Sequence, residues 1–157
     1  MLNLPALILY NGDWSKYEEV LYAVFKRDFL NSQPILKKHK VFIIKEPKFK
    51  NKEATFWHIT SKGKIESERT PDIRKCERIA WIKPIIESYP HQDVKAWLIK
   101  KGGTRVCLCY GNWEYLAVLR RIKKGFLLIT AHPVEYNNTK RKLEKQYKDF
   151  KNTKTAY

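Results

Sequence analysis

Between Val94 and Ala131 the chain runs through short apolar, strand-like segments and reverses at short glycine- or asparagine-bearing turns. A period of two puts successive side chains on opposite faces of a strand. Val94 to Lys101 alternates, Gly102-Gly103 offers a two-residue hairpin turn, and Thr104 to Tyr110 reads as its partner. Gly111-Asn112 supplies the next reversal. Tyr115 to Ile122 and Phe126 to Ala131 then form a second hairpin about Lys123-Lys124-Gly125, and Pro133 ends the run. Four consecutive strands joined this tightly make an antiparallel meander.

The first half has a different period. Ser15 and Glu18 match the S-x-x-E capping box, and Tyr17, Leu21, Val24, Phe25 and Phe29 follow at helical spacing, stopping before Pro34. Val41 to Ile44 reads as a short strand, and the lysine-rich stretch Glu46 to Glu53 as an exposed loop. Ala54 to Ser61 fits either a strand or a short helical turn. Thr70-Pro71 looks like a helix start, with Ile73, Cys76, Ile79 and Ala80 on the buried side, a kink at Pro84 and an end near Tyr89-Pro90. After the meander, Asn138 or Thr139 caps a basic helix carrying Leu143, Tyr147 and Phe150 on one stripe. The expected fold is therefore α+β: N-terminal helices packed on one face of a four-stranded antiparallel sheet, with a C-terminal basic helix and the other sheet face open. Residues 1–150 form the expected single domain, and 151–157 a loose basic tail.

Composition narrows the function. The 157 residues include 32 Lys and Arg against 16 Asp and Glu, a formal charge of +16, and 43% are hydrophobic. Such a chain folds, and attracts polyanions; nucleic acid leads, since neutralised phosphates release counterions. Met1 to Tyr10 is apolar but has no preceding cation and is broken by Pro5, a poor secretion signal and too short to span a membrane. Cys76, Cys107 and Cys109 lack the second pair a zinc site needs, so they read as buried thiols of a cytoplasmic protein. No metal, cofactor or membrane partner is expected.

RNA breaks itself when its 2′-hydroxyl attacks the neighbouring phosphate. A base, an acid and cations at the phosphate accelerate this without metal. Histidine titrates near neutrality, and arginine matches two phosphate oxygens. Of His39, His58, His91 and His132, His58 stands out among Phe56, Trp57 and Ile59, although a structural histidine beside aromatics is the plainer reading. His132, after the last strand, is the second candidate. Arg74 and Arg78 share a helix face. Arg120 and Arg121 must point to opposite sides of their strand, in an order that alternation alone leaves open. Thr130 matters only if it shares a cleft with an arginine. Trp57, Trp81, Trp97, Trp113 and Tyr136 can stack on bases, but most such aromatics are core.

Three stretches together, Glu53 to Thr60, Arg74 to Ile82, and Tyr115 to Leu119 leading to Leu127–Ala131 with Pro133-Val134, resemble a phage- and prophage-associated set of small proteins. These are grouped with the barnase–EndoU–colicin–RelE-like (BECR) ribonuclease toxins. The resemblance spans Ser15 to Phe150. It implies helices on a four-stranded antiparallel sheet and metal-independent endoribonuclease activity, often on tRNA or mRNA. It places catalysis on His58, Arg121 and Thr130 with Arg78 as an added phosphate ligand; from the residues themselves, Arg74, Arg120, His132 and Tyr136 are the expected substrate-binding set. A toxin of this kind implies an acidic antitoxin or immunity protein. The alternative is a non-catalytic nucleic-acid-binding protein of phage origin.

Overall fold

A computed structural model describes residues 1–65 and 68–153. The last residues of the expected tail, 154–157, lie outside them. Helix α1, Trp14–Phe25, starts one residue before Ser15 because Asp13 is its cap, its carboxylate accepting from Lys16 N at 3.2 Å. The expected Ser15 box is thus displaced. A π-helical turn, Lys26–Leu30, extends α1 and carries Phe29 into the core beside Tyr17, Leu21 and Phe25. Strands β1 (Ile35–Leu36) and β2 (His39–Phe42) follow, then α2 (Ala54–His58), the small ladder β3 (Ser61–Lys62) with β4 (Thr70–Pro71), α3 (Ile73–Glu77), a 3-10 turn Ile79–Trp81 and α4 (Ile82–Ser88).

Thr70-Pro71 is thus a strand and not a helix start. Asp72 takes the cap instead, accepting from Arg74 N at 3.1 Å and Lys75 N at 3.3 Å, while proline without an N–H suits an edge ladder. Pro84 falls in the first turn of α4, where no intrahelical partner for its missing N–H is needed, so it does not break the helix.

The meander forms as β5 (Val94–Lys100), β6 (Thr104–Tyr110), β7 (Tyr115–Ile122) and β8 (Gly125–Pro133), followed by α5 (Asn137–Asn152). The β5–β6 turn has three residues, Lys101 to Gly103, since Lys100 pairs with Thr104. The sheet is larger than four strands. β2 runs parallel to β8, with Val41 opposite Phe126 and Phe42 opposite Leu127, and β1 adds outside β2. The order is β1-β2-β8-β7-β6-β5, a mixed six-stranded sheet in an α+β fold.

Helices α1 to α4 cover the first face, burying Val106, Leu108, Ala117, Leu119, Phe126 and Leu128 against Phe25, Phe56, Ile59, Ile82 and Ile86. The second face is not open, as expected, but half covered. α5 lays Leu143, Tyr147 and Phe150 over Trp97, Cys107, Cys109 and Trp113, on the β5–β6 side. Amphipathic α5 has only this apolar stripe to hide, and the large indoles of β5 and its neighbouring turn offer the matching surface. Burial pushes all three thiols up to about 12, so they stay protonated.

One core hydroxyl is anomalous. Tyr115 is wholly buried, its ring 5.7 Å from that of Trp81, and its OH finds no hydrogen-bond partner among the described residues. A stranded hydroxyl costs about 1–3 kcal/mol. Tyr115→Phe is therefore expected to raise stability by about 1 kcal/mol, seen as a higher urea midpoint at unchanged slope. A lower midpoint would show that the hydroxyl is bonded.

Candidate nucleic-acid interface

Strand β8 decides which polar groups reach the uncovered part of the second face. From Phe126 to Leu128 its even-numbered residues face the first core. Strict alternation would bury Thr130 there too. Instead Leu119 pairs with Leu128 and Val118 with Thr130, leaving Ile129 as an extra residue. This bulge flips the remaining strand, so Thr130 and His132 point to the second face while Ala131 enters the core. Thr130 and His132 are neighbours there, about 7 Å apart along the strand. Both are half-exposed.

His132 Nδ1 lies 2.9 Å from the carbonyl of Pro133. A carbonyl only accepts, so Nδ1 carries the proton and the lone pair of the neutral ring is at Nε2. His91 is arranged the other way: its Nδ1 accepts from Asp93 N at 3.0 Å.

The chain beyond β8 stays tethered, Val134 N donating to Glu114 O at 2.8 Å. Glu135 then accepts from Arg74 Nε at 3.1 Å, which joins α3 to this stretch. The Arg74 side chain is 56% exposed, and an ion pair this wet is worth little, so an arriving phosphate can take over the guanidinium. Tyr136 is 68% exposed, the most exposed of the aromatics singled out from the sequence. α5 begins at Asn137 and brings Lys140, Arg141 and Lys142 into its first two turns. The helix's acidic side chains lie further along, with Glu144 paired to Lys148 at 3.8 Å and Asp149 to Lys145 at 2.9 Å. One end of β8 thus gathers an imidazole, a hydroxyl, an exposed phenol and cations from two helices.

Of the expected substrate-binding residues, His132 lies near the C-terminal end of β8, Tyr136 follows that end, and Arg74 reaches the same stretch through Glu135. Arg120 does not. It is on the second face opposite Leu127, but about 13 Å of strand separates it from the His132 position. It leans the other way, its Cδ 3.8 Å from where a Gly103 methyl would lie.

The expected catalytic set is not assembled around Thr130. Arg121 pairs with Phe126, which faces the first core, so it lies on the opposite face from Thr130 and at the far end of β8 from His132. Arg78 is held along its own helix: Nη1 donates to Arg74 O at 3.0 Å, contacts Glu77 at 3.4 Å, and the guanidinium covers the Trp81 ring at 5.3 Å. It braces the first core and is not a displayed phosphate ligand. His58 ends α2 and is half-buried. The cation at its main chain is Lys75, whose Nζ donates to the carbonyls of His58 at 3.1 Å and Ser61 at 2.8 Å. Burial lowers the Lys75 pKa, with Arg69 adding to the effect.

Trp97 and Trp113 are packing residues, and Trp81 is tied by its N–H to Pro5 O at 2.8 Å. Sequence reasoning named no individual cation of α5; the run Lys140-Arg141-Lys142 in the first turns of the basic helix was the available signal. Among the described residues no helix is long and apolar enough to cross a membrane. Compared with known protein families, curated proteins and solved structures, the chain matches none of them.

Proposed function

We propose that this protein binds single-stranded RNA at the end of β8, with backbone phosphates on Arg74, Lys140, Arg141 and Lys142 and a base stacked on Tyr136. The observation that carries the reading is the exposed Tyr136 set between cations of α3 and α5 on a chain of charge +16. Cations supply affinity, and an exposed ring accepts any base face. The unpaired, stacked mode is favoured over duplex because the surface presents a ring at a strand end.

A second reading is favoured by the His132 geometry. With Nδ1 committed to Pro133, Nε2 is available to take the 2′ proton. The O2′–P bond forms, the P–O5′ bond breaks, and the products are a 2′,3′-cyclic phosphate and a 5′-hydroxyl. The leaving oxygen takes its proton from solvent, since His58 lies on α2, across the sheet from His132. Thr130 and Arg74 hold the phosphate oxygens. In this reading the protein is the metal-independent, toxin-like endoribonuclease of the BECR resemblance, phage-associated and cytoplasmic, acting on tRNA or mRNA. An acidic antitoxin or immunity protein suits its charge.

Both readings are tested on one sample. Short fluorescent RNA titrated in EDTA at rising salt should bind with a log–log slope of about −3, as four phosphate contacts on a single strand require. Absence of binding at low salt removes the proposal. If the RNA is also cut, His132→Ala should slow cleavage by about a hundredfold or more while binding persists. Cleavage that survives His132→Ala removes the second reading's base.

A further inference from the structure

A cavity of about 460 Å³ opens between α1, the loop at 47–50 and α2, on Trp14, Glu18, Phe49, Lys50, Trp57 and Arg69. His58 does not line it. Its mouth is unusual. Phe49 is 51% exposed, yet its position is fixed three times over. Phe49 and Lys52 exchange both main-chain hydrogen bonds at 3.0 Å, the Trp57 indole N–H donates to Phe49 O at 3.0 Å, and the two rings meet edge to face at 5.4 Å. The turn between them holds Lys50 at φ +51° and Asn51 at φ +62°. Asparagine tolerates this left-handed region, but a lysine there is strained. The strained turn holds the phenyl ring half in water at the mouth of the cavity.

The remaining wall is equally fixed. The Arg69 guanidinium donates to Ser61 Oγ at 2.8 Å, Ser61 O at 2.7 Å and Gly63 O at 2.7 Å. Glu18 presents a carboxylate, 3.6 Å from Lys52 Nζ. Lys48 and Lys50 flank the opening. Flat apolar walls, one acceptor at the side and cations at the rim match a nucleobase with its attached phosphate. Glu18 accepts only, so it favours an exocyclic amine over uracil, whose single N3–H donor lies between two carbonyl oxygens that a carboxylate repels.

We infer that this cavity is a nucleobase pocket, selective for amine-bearing bases, that takes one unpaired base of the bound strand. It rests on the RNA-binding reading but is tested without the β8 surface. The four nucleoside 5′-monophosphates are titrated into the intact protein and followed by NMR shifts of the Trp14 and Trp57 indole N–H groups. AMP, CMP and GMP are expected to bind more tightly than UMP. Phe49→Ala, at an exposed ring, should weaken AMP binding about tenfold. Glu18→Gln should erase the preference over UMP. Lys50→Gly should weaken AMP binding while raising the urea midpoint, because glycine relieves the turn. No binding of any monophosphate at millimolar concentration, or AMP binding unchanged by Phe49→Ala, overturns the pocket. Loss of RNA binding with AMP binding intact would overturn the β8 interface instead.

Discussion

Gly125→Ala is expected to destabilise the protein by about 3 kcal/mol and to free β2 from the sheet. Gly125 opens β8 at φ +151°, a region essentially confined to glycine. A Cβ there would lie 2.4 Å from the carbonyl oxygen of Lys40, on β2. Backbone cannot swing aside as a side chain can, so β2 must move. The parallel pairing of Val41 and Phe42 with Phe126 and Leu127 goes with it. Urea unfolding checks the loss, and amide exchange at Phe42 and Ile43 locates it. An unchanged midpoint would mean that β2 is not held where described. β2 extends the sheet beyond the meander, so this variant separates the observed six-stranded sheet from the simpler one expected.

The triple change Lys140→Glu, Arg141→Glu and Lys142→Glu is expected to weaken single-stranded RNA binding about a hundredfold at low salt and to flatten the salt slope by about 2. These residues lie in the first two turns of α5, beside Tyr136 and within the stretch tied to Arg74 through Glu135. Arg141 and Lys142 are exposed and Lys140 half-exposed, while Leu143 anchors the helix to the second core. Reversal therefore changes charge without opening the core. Acids in a helix's first turns also suit its dipole, so the fold should hold or gain slightly.

The meander was legible because each strand is a local pattern with a local turn, and its four strands form, although the turns close at Lys101 to Gly103, Gly111 to Glu114 and Lys123-Lys124. β2 beside β8 was not. A parallel partner more than 80 residues away leaves no periodic trace, and Val41 to Ile44 showed only a short apolar run. The half-covered second face follows from α5, whose stripe of Leu143, Tyr147 and Phe150 was visible, though not the indoles it would meet. At the site, parity decided the outcome. Alternation required Arg120 and Arg121 to oppose each other, and the register assigns Arg121 to the first-core side. The extra residue Ile129 then reversed Thr130 and His132, which no pattern of hydrophobicity announces, since Leu127, Leu128, Ile129 and Ala131 are all apolar. Arg78 looked free because sequence shows charge and not the Trp81 ring it covers. Phe49 lay in plain view, one aromatic among lysines in a stretch that read as solvated loop.

The most direct test of the β8 interface compares two proteins of equal charge on one RNA. One carries the reversals at Lys140, Arg141 and Lys142. The other reverses Lys101, Lys123 and Lys124, all exposed at the turns on the opposite end of the same sheet. Fluorescence anisotropy with a short single-stranded RNA at low salt should show the large loss only in the first, with the second within a few-fold of wild type. Equal losses in both would mean that RNA senses only the overall charge, and the end of β8 would lose its claim to be the binding site.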